Sequence, residues 1–385
     1  MKQIRVRGAI LLSMLLVVVA LVALAGAQEA PRAIQYESVA DGLSSPRHLG
    51  FNAEGVLYVA EAGSGGDQCI GEGEEQRCIG TSGAITVIDG DTQERLADDL
   101  VSYALADGSD TTGPHDVAWD AEGNLMVIVG LGADPGQRGT NAFFGAISNN
   151  LGQLVQVDAN GTWMNEIDVA AYESTANPDG GEIDSNPYAI ERIDGGYLVA
   201  DAGANALLHV TDGGTITTAA VFPNRMVEFP PGSGDMMPMQ AVPTSVDVGP
   251  DGAYYVGQLT GFPFPVDGAN IYRVVPGEEP EVYADGFTNI VDIAFDGDGT
   301  LYIVEITSNS LLSGDPHGSL IRVDDGGHQT VIADDLFMPG GVAIGDDGHL
   351  YVTTRAALGD GMGQVLRLNA QFTSYLPVIV PSGTP

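Results

Sequence analysis

Lysine is all but missing from this chain. Lys2 is the only one, and lysine and arginine together number 14 against 52 aspartates and glutamates, for a formal charge of −38. A surface of that sign repels nucleic acid and anionic membrane, so neither is expected as a partner. Cysteine is nearly as scarce. Cys69 and Cys78 are the only two, and two thiols with no nearby histidine fall short of a zinc set. There is no Gly-x-Ser-x-Gly, phosphate loop, zinc motif or dinucleotide fingerprint, so nucleophilic catalysis by serine or cysteine has no support. No long apolar run occurs after residue 24.

The apolar run before that point has the form of a targeting signal. Lys2, Arg5 and Arg7 form a basic start, residues 9–24 are almost wholly apolar, and Ala25-Gly26-Ala27 fits a small-x-small cleavage site. The alternative, an uncleaved membrane anchor, would sit near the lower limit for a span. Cleavage after Ala27 would remove three of the 14 basic residues and make the mature chain still more acidic. No cysteine follows the run to carry a lipid. The expected product is secreted or periplasmic, with a small molecule or an extracytoplasmic protein as partner and a monomer as its state. In that compartment Cys69 and Cys78 are expected to form one disulfide. It closes a short loop and should stabilise by roughly 2–3 kcal/mol at most.

The rest of the chain is a repeat. Residues 288–336 hold four short β-rich runs separated by Asp/Gly turns, the pattern of one antiparallel four-stranded sheet. Six copies follow one another. Their first runs begin at Pro46, Pro114, Pro187, Pro243, Ile290 and Pro339, each followed by a glycine-containing turn and a second run such as Leu57-Tyr58-Val59-Ala60-Glu61. A four-stranded sheet cannot bury both faces alone, and radial repetition solves this. The expected fold is all-β, a six-bladed β-propeller over residues 28–371, preceded by the signal at 1–27 and followed by a tail at 372–385. The sixth copy runs out after three strands, near Asn369, while Tyr36-Glu37-Ser38-Val39-Ala40-Asp41-Gly42-Leu43 resembles a fourth strand. The N-terminal strand is therefore expected to complete the last blade and latch the ring.

Connection lengths divide the two faces. The turns between first and second strands are all tight, whereas the insertions at 62–82, 130–151, 171–186, 223–242, 259–269 and 306–318 fall on the opposite face. Long loops gathered on one side of a rigid scaffold are the usual place for binding or catalysis. The starts of the inner strands put Arg47, His48, His115, Asp116, Tyr188, Thr244, Ser245 and Asp292 near the channel mouth on that face. The ends of the second strands add Glu61, Asp201, Gln258 and Glu305. Carboxylates crowded at an axis suit a hard cation, and a calcium ion held by Asp116 and Asp292, with Glu61, Asp201 and Glu305 behind, is the cofactor expectation. The competing expectation is a polar, solvated channel. Asp296-Gly297-Asp298-Gly299 lacks the remaining ligands of a calcium loop and reads as turn chemistry. His317, His328 and His349 fall in loops or turns and are expected to be solvated.

Several loop segments are more particular than the repeat requires. They are Asn177-Pro178-Asp179-Gly180-Gly181, Asp184-Ser185-Asn186-Pro187-Tyr188, Ala241-Val242-Pro243-Thr244-Ser245, Gly286-Phe287-Thr288-Asn289 and Gly130-Leu131-Gly132-Ala133-Asp134-Pro135. Most specific is Gly257-Gln258-Leu259-Thr260-Gly261-Phe262-Pro263-Phe264-Pro265. Over roughly residues 39–368 the chain resembles the ScyD/ScyE family, named for its link to scytonemin biosynthesis. The resemblance implies an exported bacterial propeller related to the NHL and SMP-30/gluconolactonase-like groups, and it brings no catalytic set. The leading functional expectation is a binding scaffold using the loop-rich face. The alternative is a calcium-dependent lactonase or related hydrolase with Asp116 or Asp292 as ligand or base. A quinone-dependent sugar dehydrogenase ranks last, because only Arg47, Arg138, Arg225 and Arg355 could offer its polyanionic cofactor positive charge.

Overall fold

Each copy of the repeat folds as an antiparallel four-stranded sheet, and the six sheets form a six-bladed β-propeller. The computed structural model describes residues 35–359 and 361–368, so the expected signal and the tail lie outside the described residues. From the axis outward, blade 1 is Pro46–Phe51, Leu57–Glu61, Arg77–Asp89 and Thr92–Leu105. Blade 2 is Pro114–Trp119, Leu125–Val129, Gln153–Val157 and Trp163–Asp168, and blade 3 is Pro187–Ile193, Gly196–Asp201, Ala206–Thr211 and Ile216–Val221. Blade 4 is Pro243–Val248, Tyr254–Gln258, Ala269–Val274 and Glu281–Phe287. Blade 5 is Ile290–Phe295, Leu301–Glu305, His317–Val323 and Gln329–Phe337. Blade 6 has Gly341–Ile344, Leu350–Thr354 and Gly363–Leu368, and its outer strand is Tyr36–Leu43 from the other end of the chain. Tyr36 pairs with Leu368 and Leu43 with Gly363, which is the expected latch.

The blades cohere because their strands are apolar on both faces. The core is a series of slabs between neighbours. Met126, Ile128 and Leu154 of blade 2 pack on Ile190, Tyr197, Val199 and Leu208 of blade 3, and Leu198 and Leu207 of blade 3 pack on Val246, Val256 and Tyr272 of blade 4. Burying each such side chain stabilises by about 1.5–3 kcal/mol. The tight turns are held by aspartate. Asp296 Oδ1 accepts the N–H groups of Asp298 and Thr300, and Asp120 and Asp158 do the same in blade 2. The Asp296 turn is thus occupied by its own backbone, as turn chemistry requires. Among the described residues, no helix is long and apolar enough to cross a membrane.

One connection is more regular than expected. The third and fourth strands of blade 1 run on past the sheet as a β-arm, in which Gln68–Ile70 pairs with the start of Arg77–Asp89. Cys69 lies opposite Cys78 in this arm, joined by an S–S bond of 2.00 Å. The arm is ordered by packing across the seam. Ile79, Val101 and Tyr103 share a cluster with Leu131, Phe143, Phe144 and Leu151 from the next connection.

Candidate functional site

The six inner strands place one residue each at the same level of the axis. Strand register aligns Asp116, Ala189, Ser245, Asp292 and Gly341, with His48 in blade 1. The small residues make room for the large ones. A Cβ at Gly341 would come within 2.8 Å of the His48 Cα and 3.2 Å of Asp292 Oδ2. Asp116 and Asp292 are brought together as expected, on either side of His48. The His48 Nδ1 stands 3.3 Å from Asp116 Oδ2 and 3.9 Å from Asp292 Oδ1, while its Nε2 lies 3.0 Å from the Val291 carbonyl. With a carbonyl on one nitrogen and the Asp116 carboxylate on the other, both nitrogens are placed to donate, the arrangement of an imidazolium. Burial alone would lower its pKa, but the Asp292 and Asp116 charges outweigh burial and raise it to about 10.

The remaining carboxylate valences go to backbone. Asp116 Oδ1 accepts from Val117 N–H at 2.7 Å, and its Oδ2 from Ile190 N–H of blade 3 at 2.9 Å. Asp292 accepts from Ile293 N–H and from Val342 N–H of blade 6, both at 2.8 Å. Asp247 repeats the pattern with Val248 and with Phe295 of blade 5. These aspartates staple adjacent inner strands across the seams, and His48 supplies the positive charge that the calcium expectation assigned to an ion.

Glu61, Asp201 and Glu305 do not join this ring. Each turns back to the chain entering its own blade. Ser44 N–H donates to Glu61 at 2.6 Å, Asn186 N–H to Asp201 at 2.7 Å and Thr288 N–H to Glu305 at 2.6 Å. Gln258 does the equivalent job with its amide, donating to the Ala241 carbonyl. Among the described residues, no three His, Cys, Asp or Glu side chains converge as a ready metal set.

On the loop side of the ring, the expected mouth is closed over. Arg47, His115, Thr244 and Ser245 are all buried. Arg47 donates to the Thr111 carbonyl, Thr244 to the Ile290 carbonyl at 2.8 Å, and His115 Nδ1 lies 3.1 Å from the Pro187 carbonyl. Tyr188 is wedged between the two imidazoles, its ring 4.6 Å from His115 and 5.4 Å from His48. Burial, with Arg47 and His48 nearby, holds His115 well below the usual histidine pKa, hence neutral. The four arginines considered for a quinone do not assemble. Arg138 pairs with Asp168, Arg225 donates to the Gly268 carbonyl and Arg355 lies over the Phe337 ring.

The open part of the channel is on the tight-turn side. A cavity of about 530 Å³ reaches His48, Asp116 and Asp292 from below, with Glu191 and Asp247 in its wall and Phe51, Trp119 and Phe295 at its rim. Glu191 and Asp247 were not anticipated. They share one register position, two residues beyond the ring on the same strand face, and strand alternation alone would have found them. Burial, then Asp247 and Asp116, pushes the Glu191 pKa well up.

The long connections cover the other face. They include a six-residue helix, Ala171–Ala176, and a two-stranded hairpin, Arg225–Glu228 with Met236–Met239, that pairs with no blade. His328 sits in an exposed turn, His317 is exposed at the start of its strand and His349 is half-buried, each beside a nearby aspartate, Asp324, Asp315 and Asp347.

No family model matches this chain, and no curated protein matches it. Solved structures do. A gluconolactonase from Xanthomonas campestris superposes with a TM-score of 0.52 at 11% identity, covering 88% of this chain and 90% of that one. A streptogramin B lyase has a TM-score of 0.46 at 14% identity, covering 87% and 98%. A putative gluconolactonase has a TM-score of 0.49 at 11% identity, covering 88% and 93%. At 11% identity the likeness to the Xanthomonas structure is one of fold alone.

Proposed function

We propose that this chain is an exported binding propeller of the ScyD/ScyE type, and that it takes an apolar small molecule or the apolar face of an extracytoplasmic partner on its loop-rich side. One observation carries the reading. Three long connections over blades 3 to 5 present large apolar side chains to solvent and are tied to one another. Met226 and Met236 of the free hairpin are 58% and 55% exposed, Leu312 is 53% exposed, and Phe262, Val266 and Leu311 are exposed beside them. Phe229 of the hairpin packs edge-on against Phe262 at 4.8 Å. Asn289 then bridges the second and third connections, donating to the Leu259 carbonyl and accepting from Leu311 N–H. An apolar surface held in place by polar ties is a docking surface in form. The basic start and apolar run at the N-terminus support export.

The calcium-dependent hydrolase reading has less support. The axial carboxylates it needs are bonded to the backbone of two blades and balanced by His48. Titration of the mature chain with a neutral solvatochromic dye tests the binding reading. Saturable emission is expected, with at least a tenfold loss of affinity in a Met226→Ser, Met236→Ser, Leu312→Ser variant whose melting temperature is unchanged. Absence of saturable emission, or an unaffected variant, would overturn it.

A further inference from the structure

Among the described residues, the connection between blades 2 and 3 holds a buried acidic group that the repeat does not explain. Glu173, on the helix Ala171–Ala176, is 1% exposed, and neither of its carboxylate oxygens has a hydrogen-bond partner. The Asp184 N–H comes near without closing a bond of normal geometry. Two further side-chain oxygens of the same connection are buried and unpartnered, Asn177 Oδ1 and Asp184 Oδ1. Asn177 caps the helix in the left-handed region, at φ 38°, and its Nδ2 donates to the Gly181 carbonyl. That bond uses the donor half of the amide and leaves the oxygen half for something else.

The charges facing Glu173 are all of its own sign. Burial first, then Asp201, Asp179 and Asp184, push its carboxyl up to about 7. Asp184 is raised by burial, with Asp134, Glu182 and Asp179 adding to it. No cation appears among the groups acting on either. Arg138, from the turn that touches the helix, is held by Asp168 and by the Leu151 carbonyl. Buried carboxylate oxygens with neither donor nor counter-charge are unfavourable, and proteins resolve them with a proton or a metal ion.

We propose that Glu173, Asn177 and Asp184 hold one calcium ion, which ties the helix 171–176 to the segment entering blade 3. The donors choose the metal. They are carboxylate and amide oxygens with no imidazole or thiolate, which suits a hard cation, and an irregular loop suits the variable coordination of calcium better than the strict octahedron of magnesium. Two carboxylates and one amide do not make a closed cage, so the loop closes on the ion as it binds, with water in the remaining positions. The site is separate from the axis, where Asp116 and Asp292 already have His48.

Calorimetric titration of calcium into chelator-treated mature chain tests this. About 0.3 M sodium chloride suppresses the cation atmosphere of so acidic a protein. One saturable site is expected, weakened at least thirtyfold in Glu173→Gln and in Asp184→Asn, and unchanged in Asp346→Asn on the far face. Glu173→Gln keeps the shape and removes the charge, so without calcium it should melt above the parent and show no further rise when calcium is added. Three results would overturn the proposal. One is the absence of a saturable site. Another is a site that survives both loop substitutions. The third is a Glu173→Gln variant that melts below the parent yet keeps its calcium response.

Discussion

Two of the buried carboxylate sets among the described residues are opposites. At the axis, Asp116 and Asp292 have both oxygens bonded, to their own strand and to the next blade, and share a buried imidazolium. In the connection before blade 3, Glu173 has neither oxygen bonded and only acids around it. The axial aspartates sit at register positions that recur in every blade, whereas Glu173 sits on an α-helix, which no other connection has among the described residues. In a repeat protein, an acid that recurs with the repeat is architecture, and one that breaks the repeat is the better candidate for a ligand.

That contrast can be broken at its strongest point by removing architecture outright. A chain lacking residues 36–43 leaves the edge of Gly363–Leu368 unpaired and uncovers the core around Leu49 and Val365, where Ala40 and Leu43 now pack. It is expected to give no cooperative melt. A truncated chain that melts with the parent would show that the ring does not depend on its latch.

A smaller loss should follow at the axis. His48→Leu leaves Asp116 and Asp292 buried without their cation, and removing one member of a buried charge set costs about 3–5 kcal/mol in urea unfolding. The pH dependence has a definite sign. Because the folded pKa of His48, about 10, lies above its unfolded value of 6.5, the stabilisation is complete below pH 6.5 and disappears as pH rises through 10. Asp116, Asp292 and Tyr188 are the groups acting to hold it there. Between about pH 6.5 and 10 the parent should lose stability more steeply than His48→Leu, and parallel curves would remove the imidazolium from the account.

The smallest effect belongs to the β-arm. Replacing Cys69 and Cys78 with serine should cost no more than about 2–3 kcal/mol and lower the melting temperature by a few degrees. Hydrogen exchange should quicken in residues 68–80 and not in the blades. Quickened exchange throughout the ring would mean that the arm is part of the architecture after all.

Much of this architecture could be read in the sequence. The Asp/Gly turns marked each hairpin, the alternating runs marked the strands, and the likeness of residues 36–43 to a fourth strand marked the closure. The equivalence of Asp116, Asp292, His48 and Ser245 followed from counting along the repeat. What counting does not give is the direction of a side chain at a strand end. Glu61, Asp201 and Glu305 were expected one strand further out, behind the axial aspartates as further cation ligands, but the N–H groups of Ser44, Asn186 and Thr288 come near them only once each blade is folded, and an unbonded amide draws the carboxylate away. Nor does it show which end of a channel is closed. The wedge of Tyr188 between His48 and His115 joins three blades and has no local signature. The helix at 171–176 was read as loop because it is too short to show a period.

The pairing of residue 36 with residue 368 imposes an order on synthesis. The first strand of the ring to be made is the last to find its neighbour, because the strand it joins is the last of the ring to be translated. Until then a nascent chain carries an orphan strand at one end and an open sheet edge at the other. A product that stops short of residue 368 keeps both, and exposed edges of that kind are what aggregate. A chain that reaches residue 368 hides them in a single step, so making the last strand of the ring becomes the condition for escaping aggregation.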